Sequence, residues 1–276
     1  MAITTMDGLI AGLRPTSIYT KASISGISQS TATKMTGHWY ANGTPAGSTA
    51  TAIGVDGEAV TPALGSVLSR IGRTNPVSGN SYLANLSVKK GSATLPSAST
   101  IILVDRLWQN SGLSTTLTTA QAINPATLPA RDRNASTNGN GVLAAIEWSA
   151  VGGAGTPTVS LTYTGSDGTT GRTATFTAVT TPPAGTVEFF TLDVGDVGIR
   201  APTSFIQSAT RTSGTMHLVL FRILAVIPAD SLTQSSLMDA IQLAMPRIYD
   251  DSVLQLLTLS NTISGGISAQ ITETQG

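Results

Sequence analysis

The 276-residue chain contains no cysteine, which excludes disulfides, thiolate nucleophiles and cysteine-based zinc sites. Charge is scarce as well: Lys, Arg, Asp and Glu make up 11% of the residues, against roughly a quarter in ordinary globular domains. The 15 basic residues cancel the 15 acidic ones, so the chain carries no electrostatic footprint for nucleic acid. Aromatic residues amount to 5%, too few and too scattered for a stacking platform. No window reaches the roughly 18 apolar residues of a membrane-spanning helix; the nearest, LVLFRILAVIPA, is interrupted by Arg222. The N-terminal MAITTMDGLIAGLRP lacks the basic region and long apolar core of a secretion signal. A cytosolic product without a membrane anchor is therefore expected. Low charge also leaves little repulsion between copies, so the chain is expected to live in an assembly.

What is abundant is Ser, Thr, Gly and Ala in strand-like patterns. Residues 159–179, VSLTYTGSDGTTGRTATFTAV, alternate Val159, Leu161, Tyr163 and then Ala174, Phe176, Ala178 with Ser or Thr. That period of two predicts a hairpin with one buried face and one hydroxyl-lined face, joined by the GSDGTTG loop. Similar runs recur from residue 99 onward: STIILVDRLWQ, GVLAAIEWSAV, TVEFFTLDV, SFIQSAT, GTMHLVLFRILAVIP, SVLQLLTLS and GGISAQITETQ. The fold class expected is mainly β, a β-sandwich or jelly-roll-like domain over residues 96–276. One helix is expected inside it near 231–245, capped by Asp230 or Ser231, with Leu237, Ile241 and Met245 four apart and Pro246 at its end. Residues 1–95, with few large apolar side chains, are expected to form an extended N-terminal arm or small domain that contacts neighbours. Within them, residues 4–13 suit a short helix or arm, and ALGSVLSRIG has helical spacing at Leu64, Val67, Leu68 and Ile71.

Candidates for chemistry are few. His38 and His217 have no second ligand at metal-binding spacing, and each is expected to be structural. Asp193 with Asp196, and Asp250 with Asp251, form carboxylate pairs on paper but lack an adjacent histidine and the acidic density of a calcium loop. GSDGTTGRT is glycine-rich but lacks the Lys-Ser/Thr ending of a phosphate loop. Trp39, Trp108 and Trp148 are spread along the chain and are expected to anchor cores. Asn134-Ala135-Ser136 matches a glycosylation pattern, which has no meaning without secretion. In LPARDRNASTNGNG, Arg131, Asp132 and Arg133 fit either a contact with a partner's carboxylates or a self-neutralising solvated loop.

Taken in order, Leu107-Trp108, Asn110-Ser111-Gly112, Pro129-Ala130-Arg131-Asp132, the Tyr163-Thr164 hairpin and the terminal Thr274-Gln275-Gly276 resemble a group of tailed-bacteriophage virion structural proteins. The likeness covers about residues 99–276, and MDGLIAGLRPTSIYTKAS and WYANGTPAG near the N-terminus are similar too. It implies a non-enzymatic cement or decoration protein at the head surface of a virion, made in the host bacterial cytoplasm. The implied partners are the major capsid protein and copies of the chain itself, with no direct nucleic acid, no membrane, no cofactor and no metal. The candidate subunit contacts are Arg131, Asp132, Arg133, Asp167 and Arg172, on the two loops that project from strand ends. The competing readings are a tail-associated structural or host-receptor-binding β-sandwich, which calls for exposed aromatic clusters or calcium loops, and a virion depolymerase, which calls for paired carboxylates in one cleft.

Overall fold

A computed structural model describes residues 71, 75–76, 78–90, 100–124, 128–182, 185–229, 231, 233–259, 264–265 and 267–276, together with 13–20, 24–25, 35–41, 44–46 and 58–59. The first quarter of the chain contributes β1 (Leu13–Thr20), β2 (Ile24–Ser25), β3 (Met35–Ala41), β4 (Thr44–Ala46) and β5 (Glu58–Ala59). Next come β6 (Ser81–Lys90), β7 (Thr100–Ser114), β8 (Gln121–Ala122), β9 (Val142–Trp148), β10 (Thr158–Gly165) and β11 (Arg172–Thr177). The remainder holds β12 (Thr186–Phe189), β13 (Ile199–Gln207), β14 (Thr215–Pro228), β15 (Ser236–Met238), helix α1 (Ala240–Leu243), β16 (Arg247–Ile248), β17 (Leu254–Leu259), β18 (Ser264–Gly265) and β19 (Ile267–Gln275). The protein is mainly β and its sheets are antiparallel, as the alternating runs predict.

The largest sheet runs β12-β9-β14-β7-β17-β3-β4, with β5 beside β7. It curls until β3 meets β12 at Thr36↔Thr186 and Met35↔Val187. The concave side holds its own apolar cluster, including Ile102, Val104, Val187, Val219, Phe221 and Leu257. The convex side carries two more cores. One lies under the β1-β19-β6-β15 sheet and contains Leu83, Leu86, Leu103, Leu224, Leu256 and Ile271. The other lies under the β11-β10-β13-β8 sheet and contains Leu107, Trp108, Trp148, Leu161, Phe205 and Leu220.

The long strands β7 and β14 run through both convex cores, and bulges let them do so. Pairing steps from Phe221↔Arg106 to Leu220↔Trp108, which leaves Leu107 extra, and both Leu107 and Trp108 reach the second core. Leu224 is extra in the same way, so Leu224 and Ala225 both enter the first core. Because both faces of β7 are covered, residues 101–110 are all buried and show no alternation.

Between the two cores the strands carry charge. Asp105 separates Leu103 from Leu107 on β7, and Arg222 separates Leu220 from Leu224 on its paired neighbour β14. Asp105 is wholly buried. It accepts hydrogen bonds from Ser252 Oγ at 2.8 Å, Val253 N at 2.9 Å and Arg222 at 3.3 Å. Arg222 also donates to the Arg247 carbonyl at 2.8 Å and lies 5.1 Å from the Tyr249 ring centre. Desolvation of these charges is offset by close pairing, which makes the arrangement costly to break at any one member.

Two expectations need correction. The helix expected over 231–245 is the single turn α1, capped by Asp239, whose carboxylate accepts from Ile241 N and Gln242 N at 3.0 Å while the Gln242 side chain accepts from Asp239 N. Ser231 instead closes a local turn with Thr233 N and Gln234 N, and Asp230 lies outside the described residues. The four-residue spacing misled because Leu237 and Ile241 are 57% and 80% exposed, while β15 pairs with β6 at Leu86–Val88. The compositional boundary at 95 does not follow the sheets either. Strand β6 sits between β19 and β15 with Leu83, Leu86 and Val88 fully buried, and β1 pairs with β19. The remaining expectations for residues 4–12 and for a helix around 63–72 lie outside the described residues, except for Ile71, whose amide donates to the Leu254 carbonyl at 2.9 Å.

Candidate interface at the loop pole

The 131–141 loop leads into β9, the 166–171 loop joins β10 to β11, and the 193–198 turn joins β12 to β13. All three meet at one end of the β11-β10-β13-β8 sheet. Gly141 N donates to the Val197 carbonyl and Ser166 N to the Gly198 carbonyl, both at 2.9 Å. Gly139 has φ +80°, and a Cβ there would overlap the Ile199 carbonyl, so glycine is required by both backbone angle and close approach.

The first two loops are each organised by one aspartate. Asp132 accepts from Asn134 N at 2.9 Å, Ser136 N and Ser136 Oγ at 2.7 Å, and Asn140 N at 3.0 Å. Burial alone would raise its pKa, but these hydrogen bonds prevail and hold the carboxyl below its ordinary value. Asp167 accepts from Thr169 N and Thr169 Oγ1 at 2.9 Å and from Arg172 at 2.6 Å. Chiefly through the Thr169 amide, and next through Arg172, its pKa falls to about 2. Arg172 also approaches Asp196 at 3.7 Å. Behind the hairpin, Tyr163 Oη accepts from Asp193 N at 3.1 Å, and burial first, with the neighbouring Asp196 carboxylate adding to it, pushes the phenol up to about 12.

The five residues expected at contacts thus have different fates. Arg131 and Asp132 are 1% exposed, so neither is a solvated group nor free for a partner. The Arg131 side chain turns inward, 3.6 Å from Asp105 and 3.2 Å from the Asp251 carboxylate, and donates to the Arg106 carbonyl at 3.0 Å and to the Asp251 carbonyl. Asp167 and Arg172 are paired with each other at the hairpin tip. Arg133 alone of the first loop's charges faces solvent. Beside it the pole exposes residues that the sequence did not single out: Arg200, Val194 at 95% exposure and Val197 at 60%. Their signal was faint, because a valine in a DVGDVG turn looks the same whether it points in or out.

The other candidates are structural. Asp193 and Asp196 bond the amides of Val194 and Val197 at 2.8 Å within their turn. Trp108 and Trp148 are fully buried, Trp148 donating to Glu188 at 2.8 Å and stacking under Arg211. The side chains of Trp39 and His38 lie outside the described residues. His217 is buried, opposite Glu147 on the next strand. Glu147 pairs with Arg106 at 2.9 Å, both buried; desolvation pushes the carboxyl up and the guanidinium down, and their mutual attraction offsets part of each shift. Among the described residues no group of three or more His, Asp or Glu is placed to hold a metal, and no helix is long and apolar enough to cross a membrane. In comparison with known proteins, the chain matches no family model, no curated protein and no solved structure.

Proposed function

We propose that the chain is a non-enzymatic structural protein of a tailed-phage virion, a cement or decoration protein that binds the head surface and stabilises the capsid lattice. Its partners in this reading are the major capsid protein and copies of itself. The observation that carries the reading is where the charges go. At least nine of the 30 charged residues (15 plus 15) are buried: Asp105, Arg106, Arg131, Asp132, Glu147, Glu188, Arg211, Arg222 and Glu273. A chain already poor in charge thus removes much of what it has from its surface. The hydroxyls and small side chains that remain can enter a protein contact without the desolvation cost of ions. The motif order shared with virion proteins supports the setting, and the loop pole, with Val194, Val197, Arg133 and Arg200 exposed on a hydrogen-bonded frame, suits the capsid-facing contact.

The test is rebinding of the purified chain to virion heads stripped of it, over a range of salt. Contacts of low charge predict little salt dependence, because screening acts only on charged terms. Release by moderate salt alone, or no binding to heads, would refute the reading. Density for the chain on tails rather than heads would replace it with the tail-associated alternative.

A further inference from the structure

The outer face of the β11-β10-β13 sheet carries two rows that cross all three strands: Thr175, Ser160, Ile206 and Thr173, Thr162, Ser204. The alternate residues Phe176, Leu161 and Phe205 are buried in the core beneath, which turns these rows outward. Thr173, Thr175 and Ile206 are exposed, and Ser160, Thr162 and Ser204 on the inner strands are half-buried. Neither row contains a charge. Strand geometry sets the hydroxyls on a grid with about 4.8 Å between strands and about 6.7 Å along them.

We propose that this face docks on the same face of a second copy of the chain. Complementarity favours a copy of the same face as the partner. A two-fold contact sets a surface against itself, so a charged face meets like with like. A hydroxyl is both donor and acceptor, so a face built of hydroxyls is complementary to its own copy. Burying it also costs far less than burying ions. Ile206 adds apolar area beside Ser160. The two rows cover on the order of 150–300 Å², judged from strand spacing, well below the roughly 800 Å² per partner of a stable pair. The contact is therefore weak between two free copies and gains its effect through repetition in an array. The proposal rests on the assembly reading for its setting, but it is tested on the free chain.

The absence of cysteine makes the test clean. Ser160→Cys and Thr175→Cys each introduce a single thiol on the face, and Ser235→Cys places one at an exposed site before β15, on the other small sheet. Under mild oxidation, with rates normalised to each thiol's reactivity toward a small reagent, the two face variants should form disulfide-linked dimers roughly tenfold faster than the control. Adding Thr162→Lys to Ser160→Cys should abolish that advantage. Mixing this protein with Ser160→Cys/Thr162→Glu should restore it, because opposite charges then meet across the contact. Circular dichroism of every variant checks the fold, and the neutral single-cysteine pair decides the matter if a charged variant misfolds. Equal dimerisation rates at all three positions overturn the proposal. If wild type still binds stripped heads in that case, only self-docking fails; face-selective crosslinking without head binding would instead sink the capsid reading alone.

Discussion

Replacing Asp105 by alanine should be among the most damaging single changes in the chain. The carboxylate faces Arg222 at 3.3 Å and Arg131 at 3.6 Å and accepts from Ser252 Oγ and Val253 N, all at a fully buried site. Arg131 keeps the Asp251 carboxylate at 3.2 Å, but among the described residues Arg222 retains only the Arg247 carbonyl and the Tyr249 ring. Stranding a buried cation costs about 3–5 kcal/mol, and orphaning a buried amide about 1–3 kcal/mol more. The sum, about 4–8 kcal/mol, is a large part of the 5–15 kcal/mol typical of a domain. At about 2–4 °C per kcal/mol, the melting temperature should fall by on the order of 10–30 °C. Asp105→Asn, which can still accept from Val253 N, should lose about 3 kcal/mol. Asp105→Leu combined with Arg222→Met should recover most of the loss, because no unpaired charge then remains at Arg222. Urea unfolding with unchanged m-values, arranged as a double-mutant cycle, measures all of these. An Asp105→Ala protein within about 1 kcal/mol of wild type, against the estimate from buried-charge costs, would refute the reasoning.

The Arg106–Glu147 pair on the concave side should behave alike: Glu147→Gln loses about 3 kcal/mol, whereas Arg106→Met with Glu147→Leu is far milder, and a double change as harmful as the single one in chemical denaturation contradicts the pairing. Gly139→Ala should destabilise by more than about 2 kcal/mol because backbone strain adds to overlap with the Ile199 carbonyl, while Gly171→Ala, at φ +76° with open space around it, should lose only about 1 kcal/mol; equal melting temperatures for the two count against the close approach. With its folded pKa depressed to about 2, below the unfolded value of about 3.9, Asp167 contributes stability that is fully present above about pH 4 and is lost as pH falls toward 2. An NMR titration of its carboxyl carbon should show that low midpoint, and a midpoint near 4 denies the hydrogen-bonded loop.

The sequence made the strands legible wherever one face met water. The 158–177 hairpin forms where its alternation puts it, pairing Val159 with Phe176 and Leu161 with Ala174. Legibility failed where both faces are covered. In LVLFRILAV a charge amid apolar residues looked like an interruption, but Arg222 and its partner Asp105 form the partition between two cores, which only the pairing of β7 with β14 reveals. Bulges at Leu107 and Leu224 hid the rest, since one extra residue reverses which side each later side chain faces. The helix failed for a different reason: apolar spacing of four marks a helix only if the stripe is buried, and Ile241 points to water. At the candidate interface, both projecting loops were legible from turn chemistry. Their meeting on the 193–198 turn was not, because it rests on two glycines at a close backbone approach. Nor could composition tell that Arg131 turns inward while Arg133, two residues on, stays outside.

The position of β19 bears on how the chain reaches its folded state. The strand lies between β1 and β6, pairing Leu13 with Thr274 on one side and Ser81 with Gln275 on the other. During synthesis β1 and β6 therefore wait, each with an unsatisfied edge, until residues 267–275 leave the ribosome. Closing contacts over such sequence separations is slow, and bare strand edges invite pairing with other nascent chains. Along SYLANLSVKK the polar Asn85, Ser87 and Lys89 alternate with the buried Leu86 and Val88, which makes the β6 edge less adhesive while it waits.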